Sequence, residues 1–485
     1  MKFKLKFCII QFPFIIFLIY VGFFINVYNG HVDCECNLPR QLIKEIQSYS
    51  PIVNKIINAT IAGKFKGKTW KELALFVDTF GPRFTGSRTL EVSIDYMLNR
   101  SKNYNLENVH GETVKVPHWV RGQESATVLK PRKINLAMLG LGYSVGTPKK
   151  GITAEAVVVN SFDDLKKLKN EIPGKIVIYN EKFVSYSETV EYRSRGASEA
   201  AKLGAVAVLI RSVTPFSLYT PHTGMMSYEA NVTKIPAACI TIEDATLLHR
   251  MFQRGKRIVV NLKMQARTLP VTQSRNVVAE IKGSAQPNKV VVVSGHIDSW
   301  DVGQGAMDDG GGAFASWASV VLLRLLNLRA KRTIRAILWT AEEMGTVGAR
   351  QYIEAHKAEV RDLQFVMESD IGTFTPIGLE FTGTEKVKCI LEQVMGLLSA
   401  LNATQLRSPN AGPDISDWVD SGVPGGSLWN KNDKYFWFHH TNADTMLVED
   451  PTSLDLATAL FAAVSYVLAD ISVDLPHHTN ELPEP

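Results

Sequence analysis

The stretch Lys289-Val-Val-Val-Val-Ser294, continued by Gly-His-Ile-Asp-Ser-Trp-Asp-Val-Gly-Gln-Gly-Ala-Met-Asp-Asp-Gly-Gly-Gly312, decides the reading of this chain. Four successive valines suit a strand buried on both faces, as in a parallel sheet covered by helices. A helix is expected from about Gly311 to Leu328. A second strand follows at Thr333 to Trp339, rich in β-branched and aromatic residues, then a helix near Gly348 to Ala355 and a strand at Phe365 to Glu368. Strand–helix–strand order at this spacing predicts an α/β fold, a mainly parallel mixed sheet flanked by helices.

Upstream, Ser274-Arg-Asn-Val-Val-Ala-Glu-Ile281 opens this domain. The texture before it differs. Short β-runs occur at Ile152–Val159, Lys175–Tyr179, Ala205–Ile210 and Ala237–Ile242, with a short helix over Ser194–Gly204. Residues 120–269 therefore read as a β-rich insert that splits the main domain into a first part, 51–119, and a second, 270–475. In the first part, helices are expected over about 38–62 and near Thr89 to Asn99, and a strand at Glu112 to Val116. The turn-rich segment Asp78-Thr-Phe-Gly-Pro-Arg-Phe-Thr-Gly-Ser87 precedes the second helix. The tail, 476–485, reads as loose.

At 485 residues the chain is too long for one ordinary core, and two or three domains are expected. Apolar residues make up 45% and charged residues 21%, which argues against broad disorder. The net charge is +5 and the basic residues are scattered, so no nucleic-acid partner is expected.

Lys2, Lys4 and Lys6 precede an apolar stretch from Phe7 to Ile25 that Gln11 and Pro13 interrupt. Residues 1–30 are read as a secretory signal peptide rather than a membrane anchor, with no stable span after its removal. No second apolar segment of that length is expected. Residues 31–50, which include Cys34-Glu-Cys36, are a candidate pro-segment. Four acceptor sequons, at Asn58, Asn99, Asn231 and Asn402, agree with export and glycosylation. Five cysteines do not make a disulfide-rich scaffold, and Cys239 reads as a buried small hydrophobe.

The chemistry lies just after strand ends, where open α/β sheets build their sites. His296 follows the valine strand, and Asp298, two residues on, suits the orienting partner that a metal-bound imidazole requires. Asp308-Asp309 opens a glycine-rich turn into a helix, Glu342-Glu343 follows the next strand, and Asp370 the one after. His440 closes the aromatic run Tyr435-Phe-Trp-Phe-His-His440. Each has a plainer explanation taken singly: a surface Glu pair, a polar loop His, an Asp helix cap. His439 reads as a packed or surface residue. Together they supply two imidazoles and several carboxylates, which suits zinc and exceeds what one tetrahedral site needs. A paired-metal site, with one carboxylate bridging ions about 3.5–4 Å apart, uses them all. Asp414-Ile-Ser-Asp417-Trp418, after a Gly-Pro turn, reads equally as pocket lining or as a surface loop.

These motifs resemble the M28-type zinc-dependent exopeptidases, and His440-Thr-Asn-Ala-Asp444-Thr445 fits that family's His-Thr-x-x-Asp-Thr form. The resemblance implies a zinc exopeptidase-like fold whose insert looks like a protease-associated domain. It implies two Zn2+ per chain, with His296 and Asp370 on one, Glu343 and His440 on the other, and Asp308 bridging through a cis bond to Asp309. It implies Glu342 as general base and acid, a small peptide substrate (dipeptides with both termini free), a homodimer, and an extracellular or lysosomal destination. An aminopeptidase on longer peptides, or a receptor-like glycoprotein without catalysis, are the alternatives. The presence of a ligand-type residue at all five metal positions disfavours the second.

Overall fold

The valine strand occupies the middle of an eight-stranded sheet. The computed structural model describes residues 36–478, and the expected signal peptide and Cys34 lie outside them. The chain divides into Met1–Pro39 and Arg40–Pro485, and the fold below is that of the second unit. Across the sheet the strands run Glu107–Val120, Arg267–Ile281, Arg332–Trp339, Gln286–His296, Leu363–Glu368, Gly425–Asn430, Pro376–Thr382 and Gln405–Arg407. The central four, from Arg332–Trp339 to Gly425–Asn430, are parallel, and antiparallel pairs flank them. The mainly parallel mixed sheet expected from the sequence is therefore present.

Alternation along the strand sends neighbouring valines to opposite faces. Val290 and Val292 join a cluster with Trp339, Tyr352 and Trp418, under the helix Val347–Ala355. The opposite face carries the helices Gly311–Leu325 and Pro451–Asp470, which also pack on each other. Both helices are buried nearly all round, as expected of elements held between a sheet and further helices. The first begins hard against the sheet: a Cβ at Gly312 would lie 2.0 Å from the Ser369 carbonyl oxygen, so only glycine fits.

Several expectations are corrected. Pro451–Asp470 is a second segment long and apolar enough to cross a bilayer, with mean hydropathy 1.5, but 89% of that window is buried inside the protein, so it is a core helix. Asp450 caps it through the Ser453 amide, with Pro451 in the first turn. The helices Lys68–Phe80 and Glu385–Gly396 are further elements the sequence reading did not register. As expected for about 38–62, helices run over Arg40–Ser48 and Ser50–Ile61, and the first, within the candidate pro-segment, buries Leu42 and Ile46. Its Glu45 accepts hydrogen bonds from Ser472, near the other end of the chain. The tail is tied down as far as it is described: His478 N donates to Gly422 O and His477 Nε2 lies 2.7 Å from Leu363 O. Residues 479–485 lie outside the described residues.

Strands between Glu124 and Met264 form a second eight-stranded sheet. Its parallel core, Ile152–Val159, Ile176–Tyr179, Ala207–Arg211 and Ala237–Ile240, follows the predicted β-runs closely. It carries more helix than its sequence suggested: the short helix expected over Ser194–Gly204 extends over Tyr186–Ala201. Cys239 is buried in it with a free thiol.

Because Leu460 is fully buried on the Pro451–Asp470 helix, Leu460→Ala is expected to lower stability by about 2–5 kcal/mol through the cavity it leaves. A urea midpoint indistinguishable from that of the unaltered protein would contradict this placement.

Candidate metal centre

Strand register assembles the site. His296 pairs with Trp339 and Ser294 with Glu368 across the three parallel strands, so all three chains leave the sheet side by side. The exits are sewn together, with Ile297 N donating to Trp339 O at 2.7 Å and Ser369 N to Ser294 O at 3.1 Å. His296, Glu342, Glu343 and Asp370 are thereby neighbours although they are far apart in sequence.

The loop after His296 brings Asp308 back. Asp444 holds its far end, accepting from the amides of Ala306, Met307 and Asp308 at 3.1, 2.7 and 3.2 Å. The Asp308–Asp309 bond is cis. Asp309 Oδ2 accepts from His296 N at 2.9 Å and Oδ1 from Gly312 N at 3.1 Å, so that carboxylate fastens the loop to the strand.

Asp308 faces one imidazole with each oxygen. Its Oδ1 lies 3.3 Å from His296 Nε2 and its Oδ2 3.3 Å from His440 Nε2. His296 Nε2 is also 3.1 Å from Asp370 Oδ1, and His440 Nε2 is 3.0 Å from Glu343 Oε2. The five residues named from the sequence as ligands therefore converge as two groups that share Asp308. Ligand atoms of His296, Asp308 and Glu343 lie within 4.8 Å of one another, a spacing one cation can span. Glu342 stands beside the set, 4.0 Å from His296 Nε2, and keeps 18% of its side chain exposed, against 11% for Asp370 and 2% for Glu343. It is the most exposed of these acids.

Asp298 acts through more atoms than a simple orienting carboxylate. Its backbone carbonyl lies 3.0 Å from His296 Nδ1, while its carboxylate accepts from Glu342 N at 3.0 Å and from the Thr85 hydroxyl at 2.8 Å.

Electrostatics separates the carboxyl groups. Burial opposes ionisation of Asp308, yet the His296 and His440 imidazoles outweigh it and hold Asp308 well below the usual carboxylate range. Burial pushes Glu342 well above that range, with His296 opposing and Asp370, Glu343 and Asp298 adding to the rise. Burial likewise pushes Glu343 up to about 7.

Other neighbours carried little or no sequence signal. Of the two readings of His439, packed or surface, the packed one holds: it stacks on His440 with centroids 3.5 Å apart, and its Nε2 is 3.6 Å from Asp308 Oδ2. Thr223, from the second sheet's unit, donates its amide to His440 O at 3.0 Å and sets its carbonyl 3.3 Å from His440 Nδ1. Glu368 is buried, accepting from Asp414 N and Ile415 N. The Asp414–Trp418 loop divides. Asp414 is buried and neither carboxylate oxygen has a hydrogen-bond partner among the described residues, whereas Asp417 is exposed. Of these, Asp444 had a visible signal, its place in the His-Thr-Asn-Ala-Asp run; a backbone atom such as the Thr223 carbonyl has none. Asn58, Asn99, Asn231 and Asn402 are all exposed.

An α/β sheet with imidazoles and carboxylates gathered beside its parallel strand ends makes a candidate divalent-metal site, and the comparisons make the protein a metallopeptidase. The sequence profile of Peptidase family M28 matches residues 276–465. Carboxypeptidase Q of Homo sapiens is 51% identical over 468 residues, covering 96% of this chain and 99% of that protein. Carboxypeptidase Q of Xenopus laevis is 54% identical over 452 residues, covering 93% and 96%. The solved structure of a Peptidase M28 precursor from Shewanella amazonensis SB2B has a TM-score of 0.85 at 31% identity and covers 90% of this chain and 100% of that one. The zinc aminopeptidase BSAP from Bacillus subtilis shares the fold, with a TM-score of 0.65 at 20% identity, over 85% and 99%. The chain belongs to peptidase family M28.

Glu449, buried beside the loop that carries His440, yields a pH prediction. It accepts from the Thr373 hydroxyl at 2.7 Å, and burial pushes its pKa up to about 8, with Asp444 and Asp450 adding to the rise. The folded state then binds a proton that the unfolded chain releases near pH ~4.3, so stability falls as pH rises from there through the folded value. Glu449→Gln is expected to flatten this slope, which urea midpoints measured on both sides of neutrality would reveal; an unchanged slope would count against it.

Proposed function

We propose that this metallopeptidase is a secreted di-zinc exopeptidase that hydrolyses the peptide bond of dipeptides with both termini free. The observation that carries the proposal is Asp308, whose two oxygens each face a different imidazole at 3.3 Å. Buried Asp308 Oδ2 and Glu343 Oε1 lack hydrogen-bond partners among the described residues, and an orphaned carboxylate oxygen in a low-dielectric site calls for a cation. The donor set of imidazole nitrogen and carboxylate oxygen suits zinc.

On this reading His296 and Asp370 would hold one ion and Glu343 and His440 the other, with Asp308 shared between the two groups. Bound zinc supplies Lewis acidity and lowers the pKa of a water toward ~7. Glu342 takes a proton from the attacking water and passes it to the leaving amine. The Asp298 carboxylate keeps Glu342 in place through its amide. The Asp298 and Thr223 carbonyls face the second ring nitrogens of His296 and His440, which leaves each Nε2 turned inward.

The name carboxypeptidase Q, borne by relatives about half identical to this chain, supports exopeptidase action. The dipeptide preference and a homodimeric assembly rest on the family resemblance. Export, to the extracellular space or the lysosome, is supported by the basic and apolar N-terminus and by the exposed sequon asparagines.

Glu342→Gln is expected to retain zinc, measured by elemental analysis, while dipeptide turnover falls by about 100-fold or more. Near-normal turnover would remove Glu342 from the mechanism. Wild-type protein should cleave dipeptides in preference to tetrapeptides with free N-termini; the reverse preference would favour an aminopeptidase acting on longer chains.

A further inference from the structure

The turn-rich segment Asp78–Ser87 takes no part in the chemistry above, yet it grips the loop that carries it. The segment joins the helices Lys68–Phe80 and Arg88–Asn103. Arg83 within it is fully buried, and its guanidinium donates to backbone carbonyls rather than to a carboxylate. Nε reaches Ile297 O at 2.9 Å, just after His296. Nη1 and Nη2 reach Gln304 O at 2.7 Å and Gly305 O at 2.8 Å, just before Asp308. Nη1 also donates to Gly81 O at 3.0 Å, which ties the fork to its own segment.

The backbone repeats the grip. Arg83 N donates to the Ser299 hydroxyl at 3.0 Å, and Ser299 N to Arg83 O at 3.2 Å. Two residues on, the buried Thr85 hydroxyl donates to Asp298 Oδ2 at 2.8 Å, on the carboxylate that also holds Glu342. At Gly305, with φ +57, a Cβ would lie 2.3 Å from Ser299 Cβ, so the loop has little room to relax.

We propose that Arg83 is a positioning residue for the metal centre, its guanidinium pinning both ends of the loop between His296 and Asp308. The two side chains are then held at a cation-binding separation before any cation arrives. A rigid, planar fork is what this task requires, since one ammonium group cannot reach carbonyls at two ends of a loop at once. The ordering entropy of the loop is spent in folding, so that less of it opposes metal binding. The buried positive charge also faces the surrounding carboxylates of Asp444, Asp298, Asp309 and Glu343; burial lowers its pKa to about 10, which leaves it charged at neutral pH.

The proposal rests on His296 and Asp308 being zinc ligands, and its test separates the two claims. Full-length wild type, Arg83→Met, Arg83→Lys and Thr85→Val are stripped of metal. Each is titrated with zinc against a chromophoric chelator, and its thermal melting is recorded without metal. Wild type should bind zinc; if it does not, the reading of the site fails and this proposal with it. Given wild-type binding, Arg83→Met and Arg83→Lys should each weaken zinc affinity by about 10-fold or more, as expected for a residue that orients ligands. In the zinc-loaded enzyme kcat should fall more than KM rises. A purely structural arginine would lower the metal-free melting temperature and leave the zinc affinity of the folded protein unchanged, which would overturn the proposal. If Arg83→Met does not fold, Arg83→Lys decides whatever Thr85→Val shows: an affinity within about twofold of wild type would overturn the proposal, and a greater loss would support it.

Discussion

Everything in the site depends on the register of three parallel strands. Gln286–His296 lies between Arg332–Trp339 and Leu363–Glu368, and the pairing sets their carboxyl ends level. Each strand spends its last residues inside the sheet and releases its polar residues in the same place. A shift of one residue in any of them would turn its buried apolar side chains to the opposite face. The apolar interior that fixes the sheet therefore fixes the site. This is why residues as distant as His296 and Asp370 meet with a separation of 3.1 Å.

That meeting is electrostatically costly. Asp308, Asp309, Glu343, Glu368, Asp370 and Asp414 are buried or nearly so within one region. Carboxylates placed together in low dielectric repel one another and forgo water. His296 and His440 offset part of this charge, and Arg83 a further part from outside the ligand set. On the proposed reading divalent cations supply the rest, which accounts for buried oxygens of Asp308 and Glu343 left without hydrogen-bond partners among the described residues. Glu342 keeps the most exposure of the acids in this set.

The legible parts of this structure were those written in side-chain type. Four valines leave few alternatives to a two-sided strand; His296, Glu343 and Asp370 stood out because they follow strands, and Asp308 and His440 through the glycine-rich and aromatic runs that carry them. Other parts are written in backbone or in long-range packing. The Thr223 carbonyl beside His440 has no residue signature, since any residue would offer that oxygen. His439 could not be told from a surface histidine until the fold stacked it on His440. Pro451–Asp470 escaped notice because a helix apolar on all sides shows no period of 3.6. The helix Tyr186–Ala201 was underestimated because its first half is polar.

The helix Pro451–Asp470 has a consequence for how the chain matures. It packs against the helices Ser50–Ile61, Lys68–Phe80 and Gly311–Leu325 and against the strand Gln286–His296. Those partners are synthesised first and expose their apolar faces until this last long helix arrives. The core of the main domain therefore closes only once this helix has been made. Without it that face of the sheet would be covered by Gly311–Leu325 alone, and the apolar residues laid bare would make the protein a substrate for chaperones and proteases rather than a less active enzyme.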